Sequence, residues 1–67
     1  MYLSGPRIKR LRVLKGLTQR QLADRAGVSQ STVVLIERQE RAERFHPATL
    51  TKLAAALEVD PAELLEG

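Results

Sequence analysis

The chain has 67 residues, 43% hydrophobic and 3% aromatic, with a formal net charge of +3. That length holds one small domain whose core is worth only a few kcal/mol net, so tight helix packing or dimerisation is expected. With no cysteine and one histidine, neither disulfides nor a thiolate or histidine metal cluster can form; no apolar run approaches the roughly 20 residues of a membrane span, and no signal peptide is visible.

Residues 1–5 read as a short N-terminal arm in which Tyr2 and Leu3 fold back on the core or touch a partner. Pro6 suits a first helical position, with Ser4 or Gly5 as the cap. The first helix is expected over 6–15, with Ile8, Leu11 and Leu14 as its buried ridge and Gly16 as its stop. Arg12, four residues after Ile8, falls at the edge of that ridge.

The second helix is expected over 18–26. Thr18 and Gln21 have the spacing of a capping box, and Leu17 and Leu22 that of a hydrophobic staple. Leu22, Ala23 and Ala26 make a narrow apolar stripe. Gly27 supplies a left-handed corner without steric cost. Ser29 can cap a third helix, with Val28 and Val33 as its staple, and Val33 and Ile36 turned towards the second helix. A small Ala23 then lets the two helices cross closely through a short turn.

Beyond Arg38 the segment QERAERF is read as an extra helical turn, because Glu37 with Arg41 and Glu40 with Arg44 have a supporting i,i+4 order. The third helix is therefore expected over 29–41, with Phe45 plugging the core from the loop. A fourth helix is expected over 47–57, with Leu50, Leu53, Ala54 and Leu57 on one face. Glu58–Val59 is a short link lacking a terminal glycine. Asp60, Pro61 and Glu63 signal a brief fifth helix over 61–66, with Val59 and Leu64 as its staple. The expected fold is all-α, with five helices and no strand.

Charge is uneven. Residues 1–36 carry seven basic groups against Asp24 alone, whereas 37–67 carry four basic and seven acidic groups. A domain with one polyanion-facing side shows this bias, as does a solvated helix rich in Lys and Arg. Two aromatic residues, Tyr2 and Phe45, are too few for a single-strand stacking platform. One histidine, few acidic pairs and no room for an ordinary pocket argue against an enzyme.

The run LTQRQLADRAGVSQSTVVLIER (Leu17–Arg38), with IKRLRVLKG before it and HPATLTKLAAALEVDPAELL after it, resembles the helix-turn-helix domains of the Cro and lambdoid phage repressor type (XRE family). The resemblance covers nearly the whole chain. It implies a compact five-helix lambda-repressor-like domain over 1–67, with the second and third helices forming the helix-turn-helix. It also implies an ion pair between Arg12 and Glu37. The chain departs from the family pattern at Gln39, where a glycine is usual, in a loop about two residues longer, and at Leu35, where polar or basic residues prevail.

The third helix would enter the major groove, which is wide enough for one helix. Its outward residues, Ser29, Gln30, Ser31, Val34 and Leu35, are the expected base contacts. Gln30 is the best reader, since its amide both donates to and accepts from adenine. Thr18, Gln19, Arg20, Arg38, Arg41 and Arg44 are the expected phosphate contacts, helped by free N–H groups at the start of the second helix. Val34 and Leu35 have three readings: contact with thymine methyl groups, cover by the long loop and Phe45, or a protein-binding patch.

The functional expectation is a sequence-specific double-stranded DNA-binding transcriptional regulator, a repressor acting as a homodimer. The last helix and N-terminal arm would form its dimer surface, with Leu64 and Leu65 supplying apolar area. No cofactor, metal or membrane is implied, and the setting is cytoplasmic, nucleoid-associated and of prokaryotic, phage or plasmid origin. The alternative is a protein-interaction module of the same fold, an antitoxin or co-regulator that holds a protein partner through the apolar side of the third helix.

Overall fold

The computed structural model describes all 67 residues. In chain order the elements are β1 (Tyr2–Leu3), α1 (Gly5–Leu14), α2 (Gln19–Ala26), α3 (Gln30–Glu37), α4 (Pro47–Leu57), a 3-10 turn (Pro61–Leu64) and β2 (Leu65–Glu66). The fold is mostly helical, with four α-helices rather than five.

α1, α2 and α3 each start at a capping side chain, while α4 starts after His46 with Pro47 in its first turn and no side-chain cap. Ser4 Oγ accepts the Arg7 N–H at 3.3 Å, and Pro6 occupies the first turn of α1. Thr18 and Gln21 form a reciprocal capping box at 3.0 and 2.9 Å. Gly27 ends α2 with φ 71°, and Val28 N–H returns to the Ala23 carbonyl. Ser29 Oγ accepts the Thr32 N–H at 3.2 Å and opens α3.

α2 packs against both α3 and α4, α1 against α3, and α4 against the 3-10 turn. Leu3, Ile8, Leu22, Val33, Leu53, Leu57 and Leu64 are the large side chains removed from water. Burial of this kind is worth about 1.5–3 kcal/mol for each such residue, so these seven positions hold the helices in register.

The ends of the chain depart from the sequence reading. The residues expected as an arm form β1, which pairs antiparallel with β2 in the register Tyr2 to Glu66 and Leu3 to Leu65. The expected fifth helix over 61–66 is cut to a 3-10 turn for the same reason. Asp60 and Glu63 do cap the turn, but Leu65 is extended at φ −105°, ψ 145°. Continuing the helix would forfeit the ribbon, the Ser4 N–H bond to the Leu64 carbonyl, and the Tyr2 hydroxyl bond to Glu66. Leu64, expected on a dimer surface, is instead fully buried within the chain, and Leu65 is half-buried.

The third helix ends at Glu37, not at residue 41. Leu3 and Ala42 exchange N–H to carbonyl bonds at 3.0 and 2.9 Å, Gly5 N–H bonds the Gln39 carbonyl, and Ala42 is buried. An i,i+4 ion pair is worth about 0.2–0.5 kcal/mol, less than one intrachain backbone bond at about 1 kcal/mol. The segment therefore turns towards β1. Ala42 is buried in the core, and Phe45 is half-buried and packs against the core from the loop.

Along α1, Ile8 is fully buried and Leu11 half-buried, but Leu14 stands 75% exposed. The helix stops there, and Leu17, after the turn at Gly16, takes the inward position instead.

Candidate nucleic-acid interface

Val33 and Ile36 turn inward on α3, so the helical phase carries Gln30, Ser31, Val34 and Leu35 to the opposite side. These four line one shallow open depression on the surface. The side chains of Gln30 and Ser31 make no hydrogen bond within the chain, and Leu35 is 58% exposed. The long loop and Phe45 therefore do not cover Leu35. Val34 is half-buried.

Ser29, at the start of this row, differs from its neighbours. Its hydroxyl accepts the Thr32 N–H and lies 2.8 Å from the Thr32 hydroxyl. Capping therefore engages the oxygen that was expected at a base edge. Thr32, three residues on, was not singled out from the sequence, although the Ser-x-x-Thr spacing marks it as a partner.

The start of α2 lies beside the far end of α3, where Gln19 Nε2 donates to Glu37 Oε1 at 3.2 Å. The capping box uses the N–H groups of Thr18 and Gln21, leaving those of Gln19 and Arg20 without a partner in the chain. Two neighbouring N–H groups at a helix start, with the positive end of its dipole, suit an anionic oxygen.

Behind the corner lies a buried polar junction. Arg12 Nε donates to Glu37 Oε2 at 2.6 Å and Arg12 Nη2 to Glu37 Oε1 at 3.2 Å. Arg12 Nη1 donates to the Leu17 carbonyl at 2.7 Å. Gln19 Nε2 donates to Glu37 Oε1 at 3.2 Å. α1, α2 and α3 thus meet at one carboxylate, and no buried side-chain polar atom lacks a partner. A bidentate guanidinium–carboxylate fork fixes orientation as well as distance. The Gln19 bond to Glu37 was not foreseen. It uses one amide hydrogen and leaves the other hydrogen and the carbonyl oxygen of Gln19 available.

The expected phosphate-binding cations are not equivalent. Arg20, Arg38 and Arg44 are exposed and make no ion pair. Arg41 is drawn to the terminal ribbon, with its guanidinium carbon 4.9 Å from the centroid of the Tyr2 ring. Lys15 pairs with Glu58 at 3.3 Å, and Arg7 with Glu66 at 2.9 Å. Of the expected phosphate contacts, the cations without an acidic partner thus lie in α2, at the end of α3 and in the loop beyond it. Lys9 and Arg10 in α1, Arg25 in α2 and Lys52 in α4 are unpaired as well.

A protein-family model described as helix-turn-helix matches residues 8–64. No curated protein matches the chain. Among solved structures, the restriction-modification controller protein C.AhdI from Aeromonas hydrophila is 39% identical with a TM-score of 0.82, over 91% of this chain and 89% of that one. The SinR master regulator for biofilm formation, in complex with DNA, is 37% identical with a TM-score of 0.84, over 92% and 97%. The N-terminal DNA-binding domain of SinR from Bacillus subtilis is 35% identical with a TM-score of 0.83, over 97% and 93%.

Proposed function

The chain belongs to the XRE-type helix-turn-helix family, and from that premise we propose that it is a DNA-binding transcription regulator, a repressor that binds its operator as a homodimer. α3 lies in the major groove. Gln30, Ser31, Val34 and Leu35 meet base edges, with Ser29 at the groove entrance. The N–H groups of Gln19 and Arg20 and the side chains of Thr18, Gln19, Arg20, Arg38 and Arg44 hold phosphates, and Arg41 joins them on leaving Tyr2. Two subunits read half-sites about one helical turn apart. The protein acts in the cytoplasm on the nucleoid, as a binder and not an enzyme, with no cofactor.

The observation that carries this reading is the side of α3 opposite the core. It is solvent-facing and uses neither Gln30 nor Ser31 in intrachain bonds, and the end of α3 is tied through Glu37 to Gln19 at the start of α2, where two N–H groups are unpaired. Titration of a labelled duplex across a salt series, read by fluorescence anisotropy, tests it. Affinity falls with a log–log slope near −0.9 per phosphate contacted. Arg20→Ala makes that slope shallower by about one unit on any duplex. Affinity that does not change with salt overturns the reading.

The exposure of Leu35 supports a second reading, in which the same face holds a protein partner. The same titration separates the two, since a module of that kind leaves the duplex unbound at low salt.

A further inference from the structure

We infer that the reading face of this chain selects A·T base pairs, and that it does so largely by sensing the methyl group of thymine. The inference rests on the DNA-binding reading above and names what that face recognises. Four side chains line the depression on α3: an amide, a hydroxyl and two branched aliphatics. No cation and no carboxylate lines it.

The major groove offers each base a limited set of partners. Guanine presents two acceptors that call for Arg or Lys, and cytosine presents an amino donor that calls for Asp or Glu. Neither kind of side chain is present in the depression. Adenine presents one acceptor beside one donor, which suits the Gln30 amide, and thymine presents a methyl group, which suits Val34 and Leu35. Ser31 serves either pair.

The burial of the two aliphatics separates their roles. Val34 is half-buried, so its position is set by the helix packing beneath it. Leu35 is 58% exposed and has the larger surface still to lose against a ligand. Leu35 is therefore the specificity-determining residue, with Val34 as the fixed wall beside it. The methyl of 5-methylcytosine occupies the same place on the pyrimidine ring as that of thymine. The face therefore also favours a methylated cytosine over an unmodified one at the same position.

The test begins with selection of bound duplexes from a random library by the full chain. Single thymines in the selected duplex are then replaced by deoxyuridine. A·T pairs are expected opposite α3, with about fourfold weaker binding at the thymine that meets Leu35, the effect of leaving one methyl-sized group unburied. In Leu35→Ala, whose side chain supports no core contact, thymine and uracil at that position bind equally. Placing cytosine there weakens wild-type binding, and 5-methylcytosine restores part of it. G·C pairs opposite α3, or equal binding of thymine and uracil at every position, overturn the inference while leaving DNA recognition intact. Failure to bind any duplex at low salt overturns DNA recognition itself, and the inference with it.

Discussion

The corner between α2 and α3 and the ribbon that ties the two ends of the chain are held together over very different sequence distances. At the corner, the capping bonds of Thr18 and Ser29 join residues three positions apart. In the ribbon, the bond from Tyr2 to Glu66 joins residues 64 positions apart. A bond that closes a short segment carries its own signal in the sequence. A bond that closes the whole chain forms only after the helices have brought its partners together, because the loop-closure entropy is met first. The difference teaches that the part presenting the candidate interface is locally encoded, while the part that bounds the core is assembled by the rest of the fold.

The strongest way to break this division is at the junction where local and long-range order meet. Arg12→Ala leaves Glu37 buried with Gln19 as its remaining side-chain partner. Removing one member of a buried pair costs about 3–5 kcal/mol, a large part of the stability of a domain this small. Urea denaturation reads the loss. Combining Arg12→Met with Glu37→Leu removes both charges and recovers much of it. A loss below about 1 kcal/mol in the single variant would mean that the packing of Ile8, Val33 and Ile36, not the ion pair, holds α1 to α3.

Gly5→Ala strikes where the ribbon side meets the end of α3. A methyl group there meets the backbone oxygens of Gln39, Ile36 and Glu37, all closer than 3 Å. None belongs to a side chain that can swing away, so α1 and the end of α3 must separate. The expected cost is about 3 kcal/mol, the upper end for an overpacked core. Hydrogen exchange sharpens the comparison: Leu3 and Ala42 amides lose protection first, and those of α2 last. Equal loss throughout would mean that the ribbon and the corner open as one unit.

The same division explains which features were legible in advance. The starts of α1, α2 and α3, the Gly27 corner and the outward row from Gln30 to Leu35 all follow from spacings of three or four residues. The Arg12–Glu37 contact could be reached only through the family resemblance, since nothing near either residue marks the other. The ribbon, the burial of Ala42 and the early end of α3 had no local signal. Glu37–Arg41 and Glu40–Arg44 even pointed the other way, and their small energies yielded to backbone pairing with Leu3 and Gly5. Within the candidate interface, the outward position of each side chain was legible, but its competing partner was not. The Ser29 hydroxyl and the Gln19 amide can each serve the protein or a ligand, and the chain uses the hydroxyl and one amide hydrogen for itself.

Ser29→Ala tests the local side at a single bond. It removes the oxygen that accepts the Thr32 N–H and costs about 1 kcal/mol, typical of a lost helix cap. In thermal unfolding that corresponds to a fall of about 4–8 °C for a domain of this size. Exchange protection should drop in the first turn of α3 and stay unchanged at Leu3 and Ala42. A drop in the ribbon would show that the corner depends on distant contacts after all.

The smallest expected effect has the opposite sign. Three turns leave a helix through a left-handed residue: Gly16, Gly27 and Glu58, with φ of 72°, 71° and 58°. Only the last carries a side chain, and a non-glycine residue in that region costs about 1 kcal/mol or more. Two features hold Glu58 in place. Val59 N–H reaches the Ala54 carbonyl at 3.0 Å and closes α4, and that bond is independent of the side chain. The Glu58 carboxylate also lies 3.3 Å from Lys15 Nζ, but both side chains are open to water at 68% and 39%, and such a pair contributes about 0–1 kcal/mol. Glu58→Gly therefore relieves more strain than it loses in attraction, less a part returned to the freer unfolded chain. A gain of about 0.5 kcal/mol, or 2–4 °C in Tm, is expected. Lys15→Gln separates the terms, since it removes the ion pair and leaves the backbone alone. If Lys15→Gln lowers Tm by as much as Glu58→Gly was expected to raise it, and Glu58→Gly raises it not at all, then the salt bridge holds the α4 corner, and α1 and α4 are joined by a long-range contact of the same kind as the ribbon.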